Sequence, residues 1–158
     1  MSTNNRRVGR ECALKILFAL RLDEEADVSR LLSGFWQNFR FADDALGEPL
    51  ETEEGSLTTA ARIFAELLVQ GVIEYRTVID REIREVAKNW SLERMSSVDL
   101  SILRLCSYEL LYQPEIPVRV SINEAIEISK RYGTKDSPAF VNGLLDKIAQ
   151  KARKLDSK

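Results

Sequence analysis

The chain is 158 residues and 18.0 kDa, 44% hydrophobic and 30% charged, with a formal net charge of −2 and no histidine. That composition can bury the core of one compact domain, is too apolar for intrinsic disorder, and offers no apolar run near ~20 residues for a membrane span. The missing histidine excludes histidine general bases, Ser–His and Cys–His nucleophile pairs, and histidine-ligated metals.

Apolar spacing predicts helix almost throughout. Residues 6–22 put Cys12, Ala13, Ile16, Leu17 and Leu20 on one face, and Val28, Leu31, Leu32, Phe35, Trp36 and Phe39 repeat the rhythm. The stretch 43–56, with Gly47, Pro49 and Gly55 among acids, reads as a solvated loop. Leu57, Ala61, Phe64, Leu68, Gly71 and Val72 mark a third helix, and Ile79, Ile83, Val86, Ala87 and Trp90 a fourth. From Val98 to Tyr112 the pattern is apolar on most sides, the mark of a central helix. Pro114 and Pro117 end it. Ser121-Ile-Asn-Glu124 reads as a capping box opening a helix that turns Ile122, Ala125, Ile126 and Ser129 inward. Ser137-Pro138 reads as N-cap and first helical residue of a last helix carrying Val141, Leu144, Leu145, Ile148, Ala152 and Leu155. The alternation over Val118–Ile122 is the one strand-like stretch, too short for a sheet. The prediction is an all-α protein of about seven helices.

Cys12 and Cys106 lie in apolar helical patterns with no CxxC spacing and read as buried free thiols. The first seven residues carry no signal-peptide core, so a soluble, reducing, cytoplasmic setting is expected. Charge divides unevenly: +4 over 1–21, −8 over 22–56, −3 over 57–129 and +5 over 130–158. A near-neutral total therefore contains two basic ends.

Arg6 and Arg10 are one turn apart with Arg7 beside them, at a helix start where backbone N–H groups also favour an anion. Arginine's planar fork suits phosphate, and cations are slightly unfavourable at this end of a helix, a local conflict that favours function over chance. Solvated charge is the alternative. Phe18, near Lys15 and off the main apolar stripe, and Tyr132 and Phe140, near the basic C-terminal region, are candidate stacking rings for unpaired bases, with simple core packing as the alternative. Among the acids, Ser96-x-x-Asp99 would cap the central helix, Asp136 precedes a helix start, and Glu93 reads as a surface carboxylate. None has the partner that general acid–base work needs, and no phosphate loop, metal signature or nucleophile elbow occurs. No enzyme activity and no cofactor are expected.

Four segments carry a family resemblance. Arg6-Arg-Val-Gly-Arg-Glu-Cys-Ala-Leu-Lys-Ile-Leu-Phe18 is similar to the basic first helix of the NusB family of bacterial transcription antitermination factors. Asp99-Leu-Ser-Ile-Leu-Arg-Leu-Cys-Ser-Tyr-Glu-Leu110 resembles that family's central helix. Val120-Ser-Ile-Asn-Glu-Ala-Ile-Glu-Ile-Ser-Lys130 and Phe140-Val-Asn-Gly-Leu-Leu-Asp-Lys147 resemble its two C-terminal signatures. The resemblance covers nearly the whole chain in order and spacing. It implies two small packed helical bundles forming a single RNA-binding domain over 1–158, with an acidic loop at 43–56 and a basic C-terminal tail. It implies binding of single-stranded boxA RNA of ribosomal RNA leaders together with NusE, a small-subunit ribosomal protein, within the elongation complex and its other Nus factors. The RNA residues it implies are Arg6, Arg7, Arg10, Lys15, Phe18, Asp136 and Phe140, and the NusE-facing residues are Glu93 and Asp99. Position 18 is usually tyrosine in the family, position 8 often basic and position 9 often alanine, so Phe18, Val8 and Gly9 depart from the pattern. Both monomers and homodimers fit. A protein-binding helical module, or the NusB-like domain of an rRNA cytosine methyltransferase, are the alternatives, and the chain stops before a methyltransferase's cofactor domain could begin.

Overall fold

The computed structural model describes residues 3–20, 27–37 and 58–156. Among them are seven α-helices and no strand: α1 (Thr3–Leu20), α2 (Val28–Gln37), α3 (Thr59–Glu74), α4 (Arg76–Val86), α5 (Ser97–Tyr112), α6 (Val118–Tyr132) and α7 (Ser137–Asp156), with a 3₁₀ turn at Leu92–Arg94. The expected acidic loop at 43–56, Phe39, Arg21 and the side chains of the extreme C-terminal residues lie outside the described set. The chain divides into two compact units, residues 1–70 and 71–158. Cys12 and Cys106 are buried free thiols, as their apolar surroundings predict.

In the first unit the helix starts are fastened by short polar side chains. Asp27 Oδ1 accepts from the Arg30 N–H at 3.3 Å at the head of α2. The Thr58 hydroxyl accepts from the Ala61 N–H at 3.1 Å, capping α3, and donates to Asn5 Oδ1 at 2.8 Å, which ties the start of α3 to the start of α1. Val8, Cys12, Ala61 and Ala65 form the core between those helices, with Phe35 and Trp36 of α2 packed against it. The approach is close because residue 9 is glycine. A Cβ there would lie 2.8 Å from the Phe64 ring and 3.0 Å from the Ala61 carbonyl oxygen. Trp36 is held at its polar end by Glu66, to which its indole N–H donates at 2.7 Å, and on its face by the Arg62 guanidinium at 5.2 Å.

In the second unit α5 is central and packs on α4, α6 and α7. Ser96 is its N-cap, accepting from the Asp99 N–H at 3.1 Å, as the Ser-x-x-Asp pattern predicts. Several polar side chains of α5 reach its neighbours. Arg104 makes a two-pronged pair with Asp80 of α4, at 2.8 and 3.0 Å. Glu109 accepts from the Ser121 hydroxyl of α6 at 3.0 Å. The Cys106 thiol donates to the Ser121 carbonyl at 3.4 Å.

That Ser121 geometry corrects the capping box. The N-cap of α6 is Pro117, so Ser121 and Glu124 sit a turn inside the helix and both are buried. The strand-like stretch 118–122 is the first turn of the same helix. Ser137 is the first residue of α7 rather than its cap, and its buried hydroxyl accepts from the Thr134 N–H at 2.9 Å, closing the preceding turn. Trp90, read as the last inward residue of the fourth helix, lies beyond the end of α4 and is 46% exposed.

Gly71, in the last turn of α3, faces the Tyr108 ring so closely that a Cβ would lie 2.1–2.5 Å from its outer atoms. Tyr108 cannot easily give way, because its hydroxyl accepts from Gln113 at 3.0 Å and its ring stacks on Tyr112, which in turn stacks on Tyr75 at 4.0 Å between centroids. Burial, then the neighbouring Tyr75 phenol, raises the Tyr112 pKa above its ordinary value. Gly71→Ala is predicted to destabilise the protein by about 1–3 kcal/mol through overpacking. Gly143→Ala, with nothing within 4 Å of the added methyl, should instead gain up to ~1 kcal/mol from helix propensity. Urea denaturation of the two variants checks the pair of signs.

Candidate nucleic-acid interface

α1 begins at Thr3, so Arg6 closes its first turn and Arg10 lies one turn further in. Arg6 and Arg7 are half-buried, and the Arg6 Nε is itself buried without a hydrogen-bond partner among the described residues. Val8, where the family pattern favours a basic residue, is core instead, 3% exposed. Arg10 and Lys15 differ from the sequence reading, which placed both on an accessible basic face: they are 2% and 0% exposed. The reason is that α1 is buried continuously from Val8 to Leu17, not along one stripe. The Arg10 guanidinium lies 5.4 Å from the centroid of the Phe64 ring, a cation–π contact between α1 and α3. Phe18 is half-buried, compatible with its place off the main stripe.

The remaining predicted residues belong to the second unit. Asp136 is exposed in the turn before α7, and its carbonyl accepts from the Phe140 N–H at 3.2 Å, so the two stand one helical turn apart. Phe140 is half-buried and lines a groove with Trp90. Tyr132 is half-buried with the Arg131 guanidinium 5.4 Å from its ring centroid. Glu93 is exposed in the 3₁₀ turn, held outward because Leu92 and Met95 on either side are buried. Asp99 is half-buried in the first turn of α5, and its Oδ1 has no hydrogen-bond partner among the described residues.

Among the described residues no group of three Cys, Asp or Glu side chains could hold a metal ion, and no helix is long and apolar enough to cross a membrane. Sequence reasoning placed Trp90 on the inward face of the fourth helix, whereas it lies in the segment after α4. Its neighbours Lys88, Asn89 and Ser91 are polar, and that break in the apolar rhythm was the available signal.

The NusB family model matches residues 7–150. The transcription antitermination protein NusB of Syntrophotalea carbinolica is 53% identical over 153 residues, 97% of each chain. Among solved structures, NusB of T. maritima superposes with a TM-score of 0.75 at 36% identity, covering 96% of this chain and 94% of that one. A crystal structure of NusB and NusE in complex with dsRNA shares the fold, with a TM-score of 0.74 at 22% identity over 95% of this chain and 99% of that one.

Arg10→Ala is predicted to destabilise the protein by about 1–3 kcal/mol, because it removes a buried stem and a ring-stacked cation. Arg7→Ala should stay within ~1 kcal/mol of wild type, as a half-exposed charge does. Thermal denaturation followed by circular dichroism separates the two.

Proposed function

The chain belongs to the NusB family, and on that premise we propose that it is a transcription antitermination factor that binds boxA RNA of ribosomal RNA leaders jointly with NusE. The observation that carries this reading is the 53% identity, over 97% of both chains, to a protein named for transcription antitermination. The NusB of the solved complex is bound to NusE and RNA, which gives the two partner classes to test.

In this reading Arg6 and Arg7 hold phosphates, since they are the less buried cations of α1 and lie near its head. Arg10 and Lys15 act from beneath, fixing the helix that presents them. Phe18 and Phe140 offer ring faces to unpaired bases, and Asp136 sits a turn from Phe140. Glu93 and the open Asp99 oxygen face NusE. The working compartment is the cytoplasm, where nascent RNA is made.

Removing one phosphate contact should lower the slope of log affinity against log salt by about one unit. Arg7→Ala is predicted to do this for boxA RNA in filter binding across a salt series, and an unchanged slope and affinity would remove α1 from the RNA site. Asp99→Lys, in contrast, is predicted to weaken NusE binding at least about tenfold through repulsion and loss of an acceptor. Calorimetry with a melting control reads that change, and wild-type affinity in a folded variant would exclude Asp99 from the contact.

A further inference from the structure

A groove of about 560 Å³ in the second unit separates the last turn of α4 and the segment after it from α7. It is large enough for a nucleotide-sized group. Two of its walls are rings. Trp90 is 46% exposed although tryptophan is normally well covered, and Phe140 of α7 is half-buried. Trp90 is also held in place, with the Arg94 guanidinium 5.4 Å from its ring centroid.

The charge of the groove is positive. Lys88 and Lys147 are exposed on its lining, and no carboxylate lies within ion-pair distance of either among the described residues. The acid in the lining, Glu85, is paired with Lys151, which also meets Glu82 at 2.8 Å. An apolar peptide would satisfy the rings and leave the two lysines unmatched. An unpaired nucleotide satisfies both, stacking its base on a ring and presenting phosphates to the cations.

We propose that this groove receives one unpaired base of the bound RNA, stacked on Trp90 with Phe140 as the second apolar wall, and that Lys88 and Lys147 hold the flanking phosphates. The proposal rests on the RNA-binding reading above and adds to it a base subsite built on Trp90. Because Trp90 is 46% exposed and outside any helix, Trp90→Ala is expected to stay folded, which its thermal melt checks.

The test titrates the full-length chain with single-stranded boxA RNA and with a series carrying one abasic nucleotide at each position in turn. Wild type, Trp90→Ala, Trp90→Phe and Arg7→Ala are compared. Loss of one base–aromatic stack predicts about tenfold weaker binding for Trp90→Ala, and Trp90→Phe should recover most of it. At one abasic position the penalty seen with wild type should vanish in Trp90→Ala, which identifies the stacked base. If Trp90→Ala binds RNA like wild type while Arg7→Ala is weakened, the groove is not part of the RNA site and the RNA reading stands. If Trp90→Ala weakens every RNA equally, with no coupled position, Trp90 does not hold a base and the proposal fails. Weakened NusE binding with RNA binding intact would make the groove a protein surface and likewise overturn it. If wild type shows no binding to boxA RNA, both readings fall.

Discussion

A helix with no polar side must be covered on every side, and α5 is such a helix. Between Ser101 and Glu109 all but Arg104 are buried, so α4, α6 and α7 pack around it. Its polar groups then tie it to those helices. An Arg104–Asp80 pair, a Ser121–Glu109 hydrogen bond and a thiol donating to the Ser121 carbonyl link α5 to α4 and α6. Breaking a buried charge pair by removing one partner costs about 3–5 kcal/mol, and the part-buried Arg104–Asp80 pair costs less than that to lose. The chain must also cross from the end of α4 to the start of α5. It does so by burying Ala87, Leu92 and Met95, which turns Trp90 and Glu93 outward. The exposed groups of this unit are thus consequences of how its core is closed.

The first unit works on a different constraint, the distance between α1 and α3. Gly9 and the small residues Cys12, Ala61 and Ala65 bring the two backbones close, and the Arg10 guanidinium lies 5.4 Å from the Phe64 ring centroid. The departures from the family pattern at positions 8 and 9 make sense here. Val8 adds to the core, and Gly9 leaves room for the Phe64 ring. A basic helix can therefore hold its charge in two ways, with Arg6 and Arg7 at the water interface and Arg10 and Lys15 beneath it.

Much of this was legible in the sequence, and what was not has physical causes. The rhythm of α2 and the all-round apolarity of α5 were sufficient to place those helices, because burial dictates their residue types directly. Ser96 was legible as a cap because it precedes the apolar run, whereas Ser121 and Glu124 mimic a capping box from inside a helix, where residues three apart also face one another. Pro117, which opens α6, was read as a terminator of α5, and it serves both ends. The burial of Arg10 and Lys15 was illegible, since long cationic side chains are ordinarily surface groups and nothing local marks α1 as enclosed. Trp90 was misplaced because periodicity continues past the point where a helix stops.

The central claim is that a chain with a near-neutral total charge is an RNA-binding partner of NusE. It is tested most directly by titrating single-stranded boxA RNA against a scrambled RNA of equal length at fixed salt, with and without NusE. Tighter binding of boxA than of the scrambled RNA is expected, with NusE widening the gap. Equal affinity for both RNAs, unaltered by NusE, would contradict it.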